Sequence, residues 1–210
     1  MVIDLHFHTK KYSKCSKIEL ESGIKKAKKI GLDGICITEH DIFPMYNNII
    51  ELENKYDIKI FLGIEIFTND GDILCFGLDE MKTNDISALA LVNHIHAIGG
   101  ASIAAHPYRN NDRGIKDKIL EIEKLTAIES HNGNTCDYNN KKAYDISFKH
   151  KLKVTGSSDA HLIEKIGCYA TEFENEINSV EELIEELKNG IYKPVKYDNE
   201  INSFKCVECS

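Results

Sequence analysis

Short apolar runs that break off into a histidine or a carboxylate recur along this chain. They read Asp4-Leu5-His6-Phe7-His8, Thr38-Glu39-His40-Asp41, Gly63-Ile64-Glu65-Ile66, Ala105-His106-Pro107 and Ser158-Asp159-Ala160-His161. Successive side chains of a β-strand face opposite ways, so His6 and His8 share one face, as do Asp159 and His161. Histidines kept only for packing would not fall at strand ends so regularly. The fold must therefore bring several strand ends to one place. Imidazole with carboxylate suits zinc, manganese or iron, and one carboxylate can bridge two ions, so the pattern points to a multinuclear metal site.

Candidate strands span 2–7, 34–38, 59–67, 101–105, 127–131, 153–157 and 168–173, with helical periodicity between them. Ile24, Ala27, Lys28 and Ile30 lead to Gly31, a natural C-terminal cap, and Leu91, Ile95 and Ile98 precede Gly99-Gly100. Ser179-Val180-Glu181-Glu182 is a capping box opening a helix that Gly190 closes. Asn69-Asp70-Gly71 before Asp72-Ile73-Leu74-Cys75-Phe76 predicts a hairpin. Strand and helix alternating in this way predict an α/β fold with a parallel sheet closed, or nearly closed, into a TIM-like barrel. Barrel enzymes carry their chemistry at the C-terminal strand ends, where these ligands fall.

The length of 210 residues suits one such barrel over about residues 1–200, with 201–210 as a C-terminal tail. An excess of 34 acidic over 26 basic residues, net charge −8, argues against wrapping long nucleic acid and leaves a small anionic substrate compatible. No run is long and apolar enough to cross a bilayer and no signal segment opens the chain, so a cytoplasmic protein without a membrane partner is expected. Seven cysteines lack the density of a disulfide scaffold, and Cys36, Cys75 and Cys168 read as small buried hydrophobes. Cys206-Val207-Glu208-Cys209 has C-x-x-C spacing without a second pair, which does not make a zinc site within one chain.

Each candidate has a bland alternative. His6 and His8 could be a hydrogen-bonded core pair, although a strand built of Val2, Ile3, Leu5 and Phe7 has little use for two aligned imidazoles. Glu65 ends an apolar strand, where a carboxylate is costly unless paired or metal-bound. His106 gains weight only from its position at the mouth of a strand. His94 and His96 lie on a predicted helix, where positions two apart do not face each other, and read as surface residues, as does His150. Arg109, three residues past His106, could hold an anionic substrate through its paired donors or be an ordinary surface arginine. Lys10, Lys11 and Lys14 could add positive potential at the rim or be a solvated loop.

The five ligand-bearing segments, in this order, resemble those of the polymerase and histidinol phosphatase (PHP) superfamily, over about residues 2–171. The resemblance implies a distorted (β/α)7 barrel binding two or three divalent ions. It implies that His6, His8, Glu65 and Asp159 hold one ion, Glu65 and His106 a second, and His40 with His161 a third. Asp72 stands where many members have histidine, and reads either as a ligand or as the cap of the hairpin turn. The loop after His8, Lys10-Lys11-Tyr12-Ser13-Lys14-Cys15, lacks the usual Asp or His. His131, in Ile128-Glu129-Ser130-His131-Asn132-Gly133, is a candidate replacement ligand where the family pattern is more often Glu followed by Asn.

The implied activity is metal-dependent hydrolysis of a small phosphomonoester or nucleotide phosphate by a hydroxide shared between ions. Arg109 would bind the phosphate, and an unfilled third site would leave His40 and His161 free to orient the substrate or protonate the leaving oxygen. An exonuclease acting on short oligonucleotides and a noncatalytic subunit of a nucleic-acid-processing complex are the alternatives.

Overall fold

The computed structural model describes residues 1–78 and 85–207. Its strands form one sheet: β1 (Val2–Phe7), β2 (Gly34–His40), β3 (Lys59–Thr68), β4 (Gly71–Phe76), β5 (Ala101–Ala104), β6 (Ala127–Asn132), β7 (Val154–Ser157), β8 (Tyr169–Phe173), β9 (Tyr192–Asp198) and β10 (Ser203–Cys206). The order is β10-β9-β8-β1-β2-β3-β4-β5-β6-β7. The helices are α1 (Leu20–Lys29), α2 (Ile49–Tyr56), α3 (Ala88–Ala97), α4 (Asp137–His150) and α5 (Val180–Asn189). Ser179 caps α5 as its sequence predicts, its Oγ accepting from Glu182 N at 3.2 Å. His94 and His96 lie exposed on α3.

Three apolar layers organise the sheet. On the concave face, Ile3, Leu5, Cys36, Phe61, Leu74, Phe76, Ile103 and Phe173 pack with Leu183 and Leu187 of α5. On the convex face, α1 and α2 cover β1–β3 through Ile24, Ala27 and Leu52, while α3 and α4 cover β4–β6 through Leu91, Ile95 and Ala143. β1 enters with odd-numbered residues inward, and a register shift between Asp4 and Phe7 transfers the inward face to His6 and His8 while Phe7 turns to the convex layer. One irregularity thus converts an apolar strand into a ligand-bearing strand end.

β1–β2–β3 and β5–β6–β7 are parallel, and β4 lies antiparallel between them. Thr68 pairs with Gly71, leaving Asn69-Asp70 as the hairpin turn that the sequence predicts. Because β4 is reversed, its first residues lie beside the C-terminal end of β3, so Asp72 reaches the same rim as Glu65. Gly71 has φ +141°, and a Cβ there would lie 2.5 Å from the Ile115 nitrogen, so the hairpin tip lies directly against the loop that follows His106.

The distorted barrel expected from sequence is a mixed α/β sheet curled into a half-barrel, without seven regular strand-helix units among the described residues. β8, expected as a further parallel strand, runs antiparallel to β1, with Val2 opposite Glu172. Its connection from β7 holds only the 3-10 turn Ile163–Lys165, too short for the crossover that a parallel pair needs. The link from β5 to β6 likewise carries a 3-10 segment, Lys116–Glu121, in place of an α-helix. The curl brings Phe7 into a parallel bridge with Ala160, and Thr171 Oγ1 donates to Gly156 O at 2.9 Å. Ser203–Cys206, assigned from sequence to the tail, pairs with β9, and the Phe204 ring packs on Tyr197 at 5.3 Å. Cys36 and Cys75 are buried, Cys168 is half-buried, and Cys209 lies outside the described residues. No helix among the described residues is long and apolar enough to cross a membrane.

Candidate metal centre

The C-terminal ends of the parallel strands, with the start of β4, converge on one buried group of imidazoles and carboxylates. His6 Nε2 lies 3.4 Å from Glu65 Oε1 and 3.5 Å from Asp159 Oδ1. His8 Nε2 lies 3.5 Å from Glu65 Oε2 and 3.3 Å from Asp159 Oδ1. His106 Nε2 lies 3.0 Å from Glu65 Oε1 and 3.5 Å from Asp72 Oδ2. His40 Nδ1 approaches Glu65 Oε2 at 2.5 Å, and His40 Nε2 faces His161 Nε2 at 3.4 Å. Among the described residues, four sets have ligand atoms close enough for one cation: His6-His8-Glu65, His6-His106-Asp159, Glu65-Asp72-His106 and His8-His40-His161.

His106 and Asp159 adopt positive φ, +32° and +50°. Such conformations of residues other than glycine cost about 1–3 kcal/mol and persist where the surroundings impose them. Around Asp159 those surroundings include Asp4, buried beneath the site, whose carboxylate accepts from Ser158 N at 2.9 Å and Gly167 N at 3.2 Å. Burial raises the Asp4 pKa to about 6 against those hydrogen bonds.

The electrostatics favour added positive charge. Burial works against ionisation of Glu65 and Asp159, yet the charge of His6, with further hydrogen bonds from neighbouring imidazoles, holds both well below the ordinary carboxylate range. Burial also disfavours charge on His6, but Asp159, Glu129 and Glu65 outweigh it and hold its pKa well above the ordinary imidazole value. His8 is driven by burial down to about 3, and Asp72 is pushed up by burial and by the Glu65 charge. His6 Nε2, His8 Nε2, Asp72 Oδ1 and Asp159 Oδ1 are buried without a hydrogen-bond partner. Buried polar atoms left unpaired while aimed at one another fit cations between them. The donor set, imidazole with carboxylate, fits divalent zinc, manganese or iron.

Three polar residues near the ligands were not singled out from sequence. Glu129 Oε1 meets His6 Nδ1 at 2.9 Å, and its Oε2 accepts from His106 N at 2.8 Å and Asn132 Nδ2 at 2.9 Å. With its proton on Nδ1, His6 keeps an Nε2 lone pair for the centre. Glu39 accepts from Thr9 N at 3.0 Å and Ser13 Oγ at 2.5 Å, bracing the turn after His8. Arg113 Nε donates to Asp72 Oδ2 at 2.6 Å. Arg109 donates to Asp159 Oδ2 and, at 2.8 Å, to Asn132 Oδ1, which places it at the rim. Lys10 instead pairs with Glu19 at 2.7 Å, and Lys11 donates to Met45 O at 3.2 Å, so both have partners within the loops. Glu129→Gln is expected to weaken metal affinity by about 10–100-fold while preserving the fold, because an amide NH2 would face the donors of His106 or Asn132, or the His6 ring. Metal-titration calorimetry checks this.

His131 is a correction. A register shift between Glu129 and His131 keeps Glu129 inward and turns His131 to the convex side, against the Tyr144 and Tyr169 rings at 5.8 and 5.5 Å. Burial, with the Lys196 charge, lowers its pKa from 6.5 to about 4. The unfolded chain therefore binds this proton before the folded one does, so its stabilising contribution is present above about pH 6.5 and is lost as pH falls toward 4. The loss is about 3 kcal/mol at most. His131→Phe is expected to flatten the fall in melting temperature between pH 7 and 4.5, measured for both proteins in chelator.

The comparisons with known proteins fit this geometry. A PHP-associated family profile matches residues 137–191. An uncharacterized protein of Methanocaldococcus jannaschii is 30% identical over 142 residues, which are 63% of this chain and 82% of that protein. A PolC-type DNA polymerase III of Mycoplasma genitalium is 25% identical over 142 residues, 59% of this chain and only 10% of the polymerase. A crystal structure from Bifidobacterium adolescentis, described as a metal-dependent phosphoesterase, superposes with TM-score 0.65 at 17% identity, covering 88% of this chain and 96% of that one. At that identity the likeness is one of fold.

Proposed function

The chain belongs to the polymerase and histidinol phosphatase family, and on that premise we propose that it is a metal-dependent phosphoesterase acting on a small phosphomonoester or nucleotide phosphate. The observation that carries this reading is the set of buried, unpaired ligand atoms of His6, His8, Asp72 and Asp159 around Glu65, flanked at the rim by Arg109. Two or three divalent ions held by His6, His8, His40, Glu65, Asp72, His106, Asp159 and His161 would activate water at neutral pH and polarise the phosphoester.

The chain's own residues divide the remaining work. Glu129 fixes the His6 ring and, through the His106 backbone N–H, the entry to the next loop. Arg109 presents a planar fork to phosphate oxygens and balances the charge of Asp159. His161 and His40 are less buried than His6 and His8, and with the third site unfilled their imidazoles would be free to orient the substrate or protonate the leaving oxygen. The nucleophile is water, so no covalent side chain is required.

The test is the metal content of protein purified without chelator, together with turnover of p-nitrophenyl phosphate and a nucleotide panel. Two or three ions per chain with turnover support the reading; no metal and no turnover after reloading with manganese or zinc move it to a noncatalytic subunit. The similarity to part of a DNA polymerase favours a second reading, an exonuclease on short oligonucleotides. Oligonucleotide turnover falling steeply with salt would select that alternative, since neutralising many phosphates steepens salt dependence.

A further inference from the structure

We propose that Arg113 is a second phosphate-binding residue, acting with Arg109 as a two-guanidinium clamp across His106 that selects phosphomonoester dianions; this rests on the phosphoesterase reading above. Both arginines project from the loop between His106 and Lys116, and that loop is tied down at many points. Arg109 N donates to His106 O at 2.9 Å, Asn111 N to Arg109 O at 2.9 Å, Arg113 N to Asn111 Oδ1 at 3.0 Å and Lys116 N to Pro107 O at 2.7 Å. A Cβ on Gly114 would lie 2.8 Å from Arg109 O and 2.9 Å from Pro107 O, so the two ends of the loop touch. Asp72 N donates to Arg113 O at 2.9 Å, which fixes the second arginine to the hairpin.

The two guanidiniums are anchored on two carboxylates that approach one imidazole. Arg109 sits on Asp159, and Arg113 sits on Asp72. Asp72 Oδ2 and Asp159 Oδ2 lie 3.5 and 4.0 Å from the same atom, His106 Nε2. The Arg113 side chain is held by its Nε edge, lies 4.8 Å over the Phe67 ring and places Nη2 3.4 Å from His40 Nδ1 and 3.9 Å from Glu65 Oε2. It remains 32% exposed, against 18% for Arg109, so its outer edge is at the mouth of the cleft. A planar fork fixed on one edge and open on the other matches two phosphate oxygens. A dianion with three non-bridging oxygens can engage both forks and the cations between them. A diester has one charge and a second ester arm to accommodate, which this arrangement does not reward.

The alternative role is a plain counter-charge for Asp72, and Arg113→Lys separates the two because it keeps the charge and removes the fork. In manganese-loaded protein, Arg113→Lys is expected to retain wild-type metal content while binding inorganic phosphate about 10-fold more weakly by calorimetry, and Arg113→Met about 100-fold more weakly. The KM for p-nitrophenyl phosphate should rise by similar factors, and that for bis(p-nitrophenyl) phosphate by less. Unchanged phosphate affinity with metals intact, no phosphate binding by the loaded wild type, or loss of metal from the lysine variant each overturns the clamp. If phosphate binding depends on Arg113 while the wild type hydrolyses no phosphoester, the clamp stands and the phosphoesterase reading falls.

Discussion

Replacing His6 by alanine is expected to lower kcat/KM for the phosphoester substrate by about 10³-fold or more, since the loss of an ion removes several kcal/mol of charge stabilisation. His6 belongs to two of the ligand sets, so its removal disturbs the ion beside His8 and the ion beside His106 together. It also faces Glu65, Glu129 and Asp159, whose buried charges it offsets. Leaving carboxylates buried without a partner costs about 3–5 kcal/mol, so the metal-free variant should melt well below metal-free wild type. Turnover, metal content and thermal melting read these consequences separately. Wild-type turnover by the variant would exclude a centre built around His6.

Glu65→Gln should be of comparable size for a different reason. Its carboxylate lies within 3.5 Å of ring nitrogens from His6, His8, His40 and His106, so it meets more of the imidazoles than a single ligand set holds. An amide carries no charge and would direct an NH2 at one of those rings. The expected outcome is loss of ions from both sets that contain Glu65, retention of the His8-His40-His161 set, and a fall in turnover of about 10³-fold. Elemental analysis of purified variants distinguishes this from Asp72→Asn, which should disturb only the Glu65-Asp72-His106 set. Equal metal loss in the two variants would contradict a bridging role for Glu65.

The strand ends bearing His6, His8, His40, Glu65, His106, Asp159 and His161 were legible because polar ligands interrupt apolar runs where a strand must stop. Asp72 was legible as a candidate through the hairpin, whose reversal carries it to the β3 end. The orientation of residues beyond a bulge was not legible. In the segment around Glu129 and His131, simple alternation would turn both side chains the same way, and the register shift separates them. Arg113 was missed because its partner, Asp72, is 41 positions earlier, and only the packing of the hairpin tip on the loop brings them together. The direction of β8 follows from a connection too short for a crossover, while β9 carries Pro194 and buries it beside Val195, so it lacks the alternation that marks a strand.

The curl that sets Phe7 beside Ala160 bears on when the proposed centre could fill. Asp159 and His161 lie more than 150 residues after His6 and His8 in the chain. Such distant partners meet only after the intervening β-strands have paired, a slow step in folding. A nascent chain arrested before residue 159 would lack the His6-His106-Asp159 and His8-His40-His161 sets. Filling of those two sets in the proposed centre would thus follow closure of the sheet.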